Sequence, residues 1–127
     1  MVAVHRPGDE IKIMDPVKYD STIAAMIDDN EQWNWRDQTG PNLELMQEQH
    51  DGLVEVLTRE GVEVVRVDGS PTDPKAIFTR DQAISVKGGA IICRMGPVGT
   101  QHGYGRRGEE AYVSRTIAAL GMPILHT

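Results

Sequence analysis

Residues 4–8 read Val-His-Arg-Pro-Gly, and residues 92–96 read Ile-Cys-Arg-Met-Gly. Each is an apolar strand end followed by Arg-x-Gly, and the two stand 88 residues apart. A second pair runs in step with the first. Leu53, Leu57 and Gly61 match Val113, Ile117 and Gly121, 60 residues apart. The difference, 28 residues, is extra loop in the first copy. The chain therefore reads as about two copies of a strand–helix–strand module. A lone module of this kind cannot bury both faces and needs neighbours. Any two α/β units share some of this pattern, so the repeat alone leaves a small autonomous α/β domain open.

The local signals agree with the α/β reading. Leu43, Met46, His50, Leu53, Val54 and Leu57 recur at helical spacing, and Gly61 ends that helix. Residues 62–67 alternate and predict a strand. Residues 76–78 and 83–86 read as extended. Lys87-Gly88-Gly89 predicts a tight hairpin into residues 90–93. Glu109 and Glu110 open a second helix over 109–120, where the dipole favours acidic groups, and Gly121 closes it before a last strand over 123–127. In the first copy, residues 9–40 form a long polar loop, with a short helix expected over 21–27. A connection that long is usually functional or disordered. Trp33 and Trp35 within it read best as residues that pack the loop down.

Composition narrows the function classes. Thirteen basic and nineteen acidic residues give a net charge of -6, which argues against nucleic acid as a partner. Hydrophobic residues make up 39% of 127, with one phenylalanine, which is lean for an independent core. The single cysteine, Cys93, excludes an internal disulfide, so a reducing cytoplasm is the expected compartment. No signal-peptide pattern opens the sequence, and no apolar run has the length of a membrane span.

Phe78-Thr79-Arg80-Asp81 poses the chemical question, because it places a charge pair within a strand-like run. An exposed ion pair on an edge strand is one reading, and would be worth little. The other is a carboxylate aimed into a cavity. Two oxygens match two N–H donors, so Asp81 would suit a planar guanidinium or amidinium.

In order and spacing these motifs resemble the guanidine-modifying enzyme superfamily of arginine deiminases, amidinotransferases and dimethylarginine dimethylaminohydrolases. The resemblance rests on Phe-x-Arg-Asp before a hairpin, on Ile-Ile-Cys-Arg-Met-Gly at 91–96, and on Arg-Arg-Gly-Glu at 106–109. It runs along nearly the whole chain. It implies an α/β propeller, the pentein fold, of five ββαβ modules. This chain would supply about two: one over about 1–68, with the long loop 9–40, and one over about 74–127. It also implies C–N cleavage at a guanidine-like carbon by a cysteine thiolate assisted by a histidine. Both catalytic residues would lie outside residues 1–127, on a second polypeptide or a cleaved C-terminal piece, in an assembly that leaves room for a higher oligomer. By the same match Asp81 would bind the substrate guanidinium, Arg106 would clamp a substrate carboxylate, and Phe78 would lie near the substrate. Arg80 would support Asp81 electrostatically. Lys75 stands where arginine-specific members carry Asn or Asp, which speaks against free arginine as substrate.

The other reactive side chains carry less. Cys93 lies in an apolar run and reads as a small hydrophobe rather than a nucleophile. His5, His50, His102 and His126 show no metal-ligand spacing, so no metal is expected, and no cofactor either. His102 lies in the glycine-rich stretch 96–108, which lacks the Lys-Ser/Thr of a phosphate loop. A non-catalytic α/β-propeller binding protein is the alternative function.

Overall fold

The computed structural model describes residues 1–27, 34–71, 73–95 and 108–127. The strand β1 (Val2–Val4) leads through turns of 3-10 helix into a small antiparallel sheet of β2 (Tyr19–Asp20), β3 (Ala25–Ile27) and β4 (Asn34–Trp35). Then come helix α1 (Leu43–Arg59) and strand β5 (Val64–Arg66), which lies parallel to β1. Two more 3-10 turns, Pro74–Ile77 and Thr79–Gln82, precede the hairpin of β6 (Ala83–Val86) and β7 (Gly89–Ile92). Helix α2 (Glu110–Ala119) and strand β8 (Ile124–His126) complete the second copy, with β8 parallel to β7.

Both helices stop for the same physical reason. Gly61 and Gly121 adopt positive φ, +79° and +71°, which costs glycine nothing. The amides of Val62 and Met122 then fold back onto the carbonyls of Leu57 and Ile117. Asn42 starts α1 by accepting the Leu45 amide at 3.0 Å.

Two local readings are corrected. No helix forms over 21–27. Asp20 accepts the Thr22 amide at 2.7 Å, and Ala24 takes positive φ, so the chain turns back as a hairpin. The hairpin buries Met26 completely against Met14, with Ile13, Tyr19 and Trp35 around them. The long loop thus owns a small core. Trp35 packs on that core, while Trp33 lies outside the described residues. Nor is 76–78 extended. Pro74 presets the first helical φ, and Asp73 caps the turn by accepting the Lys75 amide at 3.0 Å, so the chain coils until Ala83.

The expected apolar stripe of α1 is only partly covered: Leu43, Met46, His50, Val54 and Leu57 are half-buried. No α1 residue is buried, and Leu45, Leu53 and Val56 are exposed. The buried apolar residues lie elsewhere: Ala90, Ile92 and Val113 in the second copy, Val4 and Val67 in the first, Ala76 between them, and Ile11, Met14, Ala25 and Met26 in the long loop.

Candidate functional site

The ββαβ arrangement of the second copy gathers several chemical groups at one end of its sheet. Because β6 runs antiparallel to β7, the turn that precedes β6 lies beside the carboxyl end of β7, and the Cys93 amide donates to Gln82 O at 2.9 Å. This is the end at which open α/β sheets commonly bind ligands. A polar cleft of about 440 Å³ opens there, lined by Cys93, Arg94, Glu110, His126 and Thr127 with Ile92 at its base.

Lys75, Arg80 and Asp81 lie on the two 3-10 turns and Phe78 at the junction between them, none on a strand. Asp81 is surface-accessible, with its side chain 37% exposed, and Arg80 Nε approaches its Oδ1 at 3.3 Å. The Arg80 side chain is 95% exposed, so its contact with Asp81 is solvated. Phe78 is exposed as well. Arg106 lies outside the described residues, as do His102 and the glycine-rich stretch up to 107.

One residue that drew no attention in the sequence fixes this arrangement. Gln82 is 2% exposed, and its amide nitrogen donates to Phe78 O at 3.0 Å and to Glu109 Oε2 at 2.9 Å. Glu109 is itself buried, immediately before α2. The buried pair therefore ties the Asp81 turn to the start of α2, three positions after Arg106 in sequence. No spacing rule flags a glutamine between an aspartate and a strand.

Arg94 enters the sequence reading only as part of a repeated motif, with no role of its own, and the repeat explains why it matters. Its counterpart 88 residues earlier, Arg6, grips Asp51 with two hydrogen bonds, Nε to Oδ1 at 2.8 Å and Nη2 to Oδ2 at 2.7 Å. That grip, chiefly the side-chain hydrogen bond, holds the Asp51 carboxyl down at a pKa of about 2. Sixty residues beyond Asp51 stands Ala111, so the matching position of the second copy carries no carboxylate, and the neighbouring Glu110 lines the same cleft as Arg94. Arg94 faces the polar cleft instead. A cation and an exposed aspartate at one sheet end suit a small zwitterionic or guanidinium-bearing molecule.

His5 is structural. Its Nδ1 lies 2.8 Å from Val67 O and its Nε2 3.1 Å from Glu10 Oε1, so a proton must sit in each contact. Gly69 presses against the ring, where a Cβ would collide with His5. Among the described residues no three His, Cys, Asp or Glu side chains come together as a metal-holding group. None of the described helices is long and apolar enough to cross a membrane.

No family model matches the sequence, and no curated protein does. Solved structures do match. One is dimethylarginine dimethylaminohydrolase as its adduct with 4-chloro-2-hydroxymethylpyridine. The TM-score is 0.61 at 16% identity, over 98% of this chain and 39% of that one. Another is a histidine-to-glycine variant of dimethylarginine dimethylaminohydrolase as its adduct with S-methyl-L-thiocitrulline, with the same score and identity and 40% of that chain covered. This chain thus spans 39–40% of the length of the structures it matches. The resemblance to the guanidine-modifying superfamily therefore holds at the level of the fold: a mixed α/β architecture shared with part of those chains. Among the described residues the sheets remain open, and no closed ring of modules is seen.

Proposed function

We propose, from a fold shared with part of dimethylarginine dimethylaminohydrolase, that this chain is the N-terminal part of an enzyme that cleaves a C–N bond at a guanidine- or amidine-like carbon. The observation that carries the reading is the likeness over 98% of the chain, together with Asp81 standing accessible at the sheet end. In this reading a cysteine thiolate on polypeptide outside residues 1–127 attacks the guanidine carbon. The departing amine takes a proton from a histidine on the same polypeptide. Water, or an acceptor amine, then releases the thiouronium-type intermediate. This chain contributes binding. Asp81 exchanges the solvated Arg80 contact for the two parallel N–H donors of the substrate. Arg106 holds an anionic head group, with Phe78 beside the substrate. Lys75 adds positive charge near that head group and disfavours an α-ammonium. The remaining modules complete a five-module propeller, and the whole works in the cytoplasm.

The test is steady-state kinetics on the assembled enzyme. Asp81→Asn keeps the shape and removes the charge, so kcat/KM should fall about thirtyfold to a thousandfold, or about 2–4 kcal/mol, with the melting temperature unchanged. L-arginine should be turned over less efficiently than its des-amino analogue, and Lys75→Asn should narrow that gap. An intact kcat/KM in a folded Asp81→Asn enzyme would remove Asp81 from the site. Tight binding of guanidino compounds without turnover would favour a binding protein.

A further inference from the structure

Gln82 spends only half of its side chain on the tie to Glu109. The amide nitrogen donates to Phe78 O at 3.0 Å and to Glu109 Oε2 at 2.9 Å. Both partners are acceptors, which fixes the atom that faces them as the nitrogen. The carbonyl oxygen, Oε1, is buried in a residue 2% exposed, and among the described residues no donor reaches it. A buried carbonyl without a donor is costly, and proteins answer such atoms with a water or an ion.

Gln82 borders a cavity of about 10 Å³, the room of one water-sized molecule. The cavity lies between the chain that follows β5, the turns before β6 and the start of α2. Three of its wall residues, Asp68, Asp73 and Glu109, carry carboxyl groups, and Tyr112 carries a phenol. No wall residue is a lysine or an arginine. Arg115 stacks on the Tyr112 ring, 4.7 Å from its centroid, and stays outside the wall. Asp73 Oδ1 accepts the Lys75 amide at 3.0 Å, which leaves Oδ2 for another donor.

The wall is thus rich in acceptors, and whatever fits it must donate in several directions. Water has two donors, whereas an ammonium ion has four and carries the charge that the carboxyl groups attract. A metal ion suits the cavity less well. Direct ligation needs oxygens at about 2.0–2.6 Å, and among the described residues no three carboxyl, thiol or imidazole groups converge in that way. An N–H···O bond spans about 2.7–3.2 Å, so an ammonium ion reaches oxygens set farther apart. The N-terminus of α2 opposes a cation with about half a unit charge, which the Glu109 carboxyl group at that end offsets.

We propose that this cavity binds one ammonium ion. The ion donates to Gln82 Oε1 and to the carboxyl groups of Asp73 and Glu109. It thereby joins the turn that carries Lys75, the turn that carries Asp81 and the start of α2 through a single charge. Ammonia or an alkylamine is also what the reaction proposed above releases, but the site stands on the cavity and its donors and acceptors, not on that reading.

The experiment melts the 127-residue chain in the chlorides of ammonium, sodium and tetramethylammonium at one ionic strength and neutral pH. Sodium and tetramethylammonium carry the charge without an N–H donor. Ammonium at about ten times its Kd should raise the melting temperature by about 3–6 °C over either of the others. The side-chain amide signal of Gln82 should move with ammonium alone, along a saturating curve. Asp73→Asn keeps an oxygen to cap the Lys75 amide and removes one charge, so it should weaken ammonium binding at least about tenfold. If the chain does not melt in one step, the Gln82 titration of the two proteins decides alone. The same melting in all three salts, with a still Gln82 signal, would overturn the proposal; that is the result expected of a water, or of a cavity already filled by the Lys75 amine. A response to sodium as large as to ammonium would overturn it as well, and so would an Asp73→Asn chain with the full response. The readouts are melting and a side-chain signal rather than turnover, so a failure of the guanidine chemistry would leave this result untouched.

Discussion

Leu53 and Val113 hold the same position in the two modules, yet Leu53 is 53% exposed and Val113 4% exposed. The helices themselves are alike in period and in their glycine ends. What differs is the sheet beneath them. α2 packs on a three-stranded sheet, β6-β7-β8, whereas α1 meets β5 of a two-stranded sheet and the 3-10 turn Asp9–Ile13. Burial of a helix stripe is thus set by the number of strands available to meet it. An amphipathic pattern in sequence says which face wants cover, not whether the same chain provides it.

The comparison can be broken most directly at those two side chains. Val113→Ala should destabilise the isolated chain by about 1.5–3 kcal/mol, because a buried valine is lost, while Leu53→Ala should stay within about 0.5 kcal/mol. Urea midpoints of the two variants decide it. Equal losses would mean that α1 is covered in solution. In the assembled enzyme Leu53→Ala should become the costlier change of its own pair of measurements.

Gln82 sharpens the contrast, since it ties the turn before β6 to the start of α2. Gln82→Leu leaves the buried Glu109 without its amide donor, at a cost of about 1–3 kcal/mol. On the proposed function, the assembly should also lose kcat/KM beyond what the melting shift explains, because the Asp81 turn comes loose from α2. If stability falls and kcat/KM holds, the tie is structural only.

The smallest effect concerns Arg6 and Arg94. The Asp51 carboxyl is held at about 2 against an ordinary value of 3.8, so its stabilising contact is fully present above 3.8 and is lost as pH falls through 2. Arg6→Ala should therefore lower the urea midpoint near neutral pH, with the difference from wild type vanishing at about pH 2. The pair is solvent-exposed, and the change should be slight. Arg94→Ala should leave the isolated chain unchanged at either pH. A matching pH-dependent loss in Arg94→Ala would show that the second arginine has a carboxylate of its own.

Much of this was legible in the residues, for identifiable reasons. The helices announced themselves by a period of 3.6 and by Gly61 and Gly121, and the β6–β7 hairpin by Lys87-Gly88. The sheet β2-β3-β4 was hidden because strands of two or three residues are too short to show alternation. The Asp81 turn was misread as extended because Pro74 fits both an edge strand and the first turn of a helix. The buried pair of Gln82 with Glu109 joins residues 27 apart, whose proximity exists only after the chain folds.

The spacing of partners along the chain also governs the order in which the two copies can form. A turn of two residues joins β6 to β7, whereas β1 meets β5 across about sixty. Closing the longer loop costs about 3 kcal/mol more in chain entropy. The hairpin can form within microseconds of both strands being present. On the ribosome, sixty residues take about 3–12 s to appear, so β1 waits that long for β5 with both edges bare. Of the described strands, β1 waits longest between its own synthesis and that of its partner.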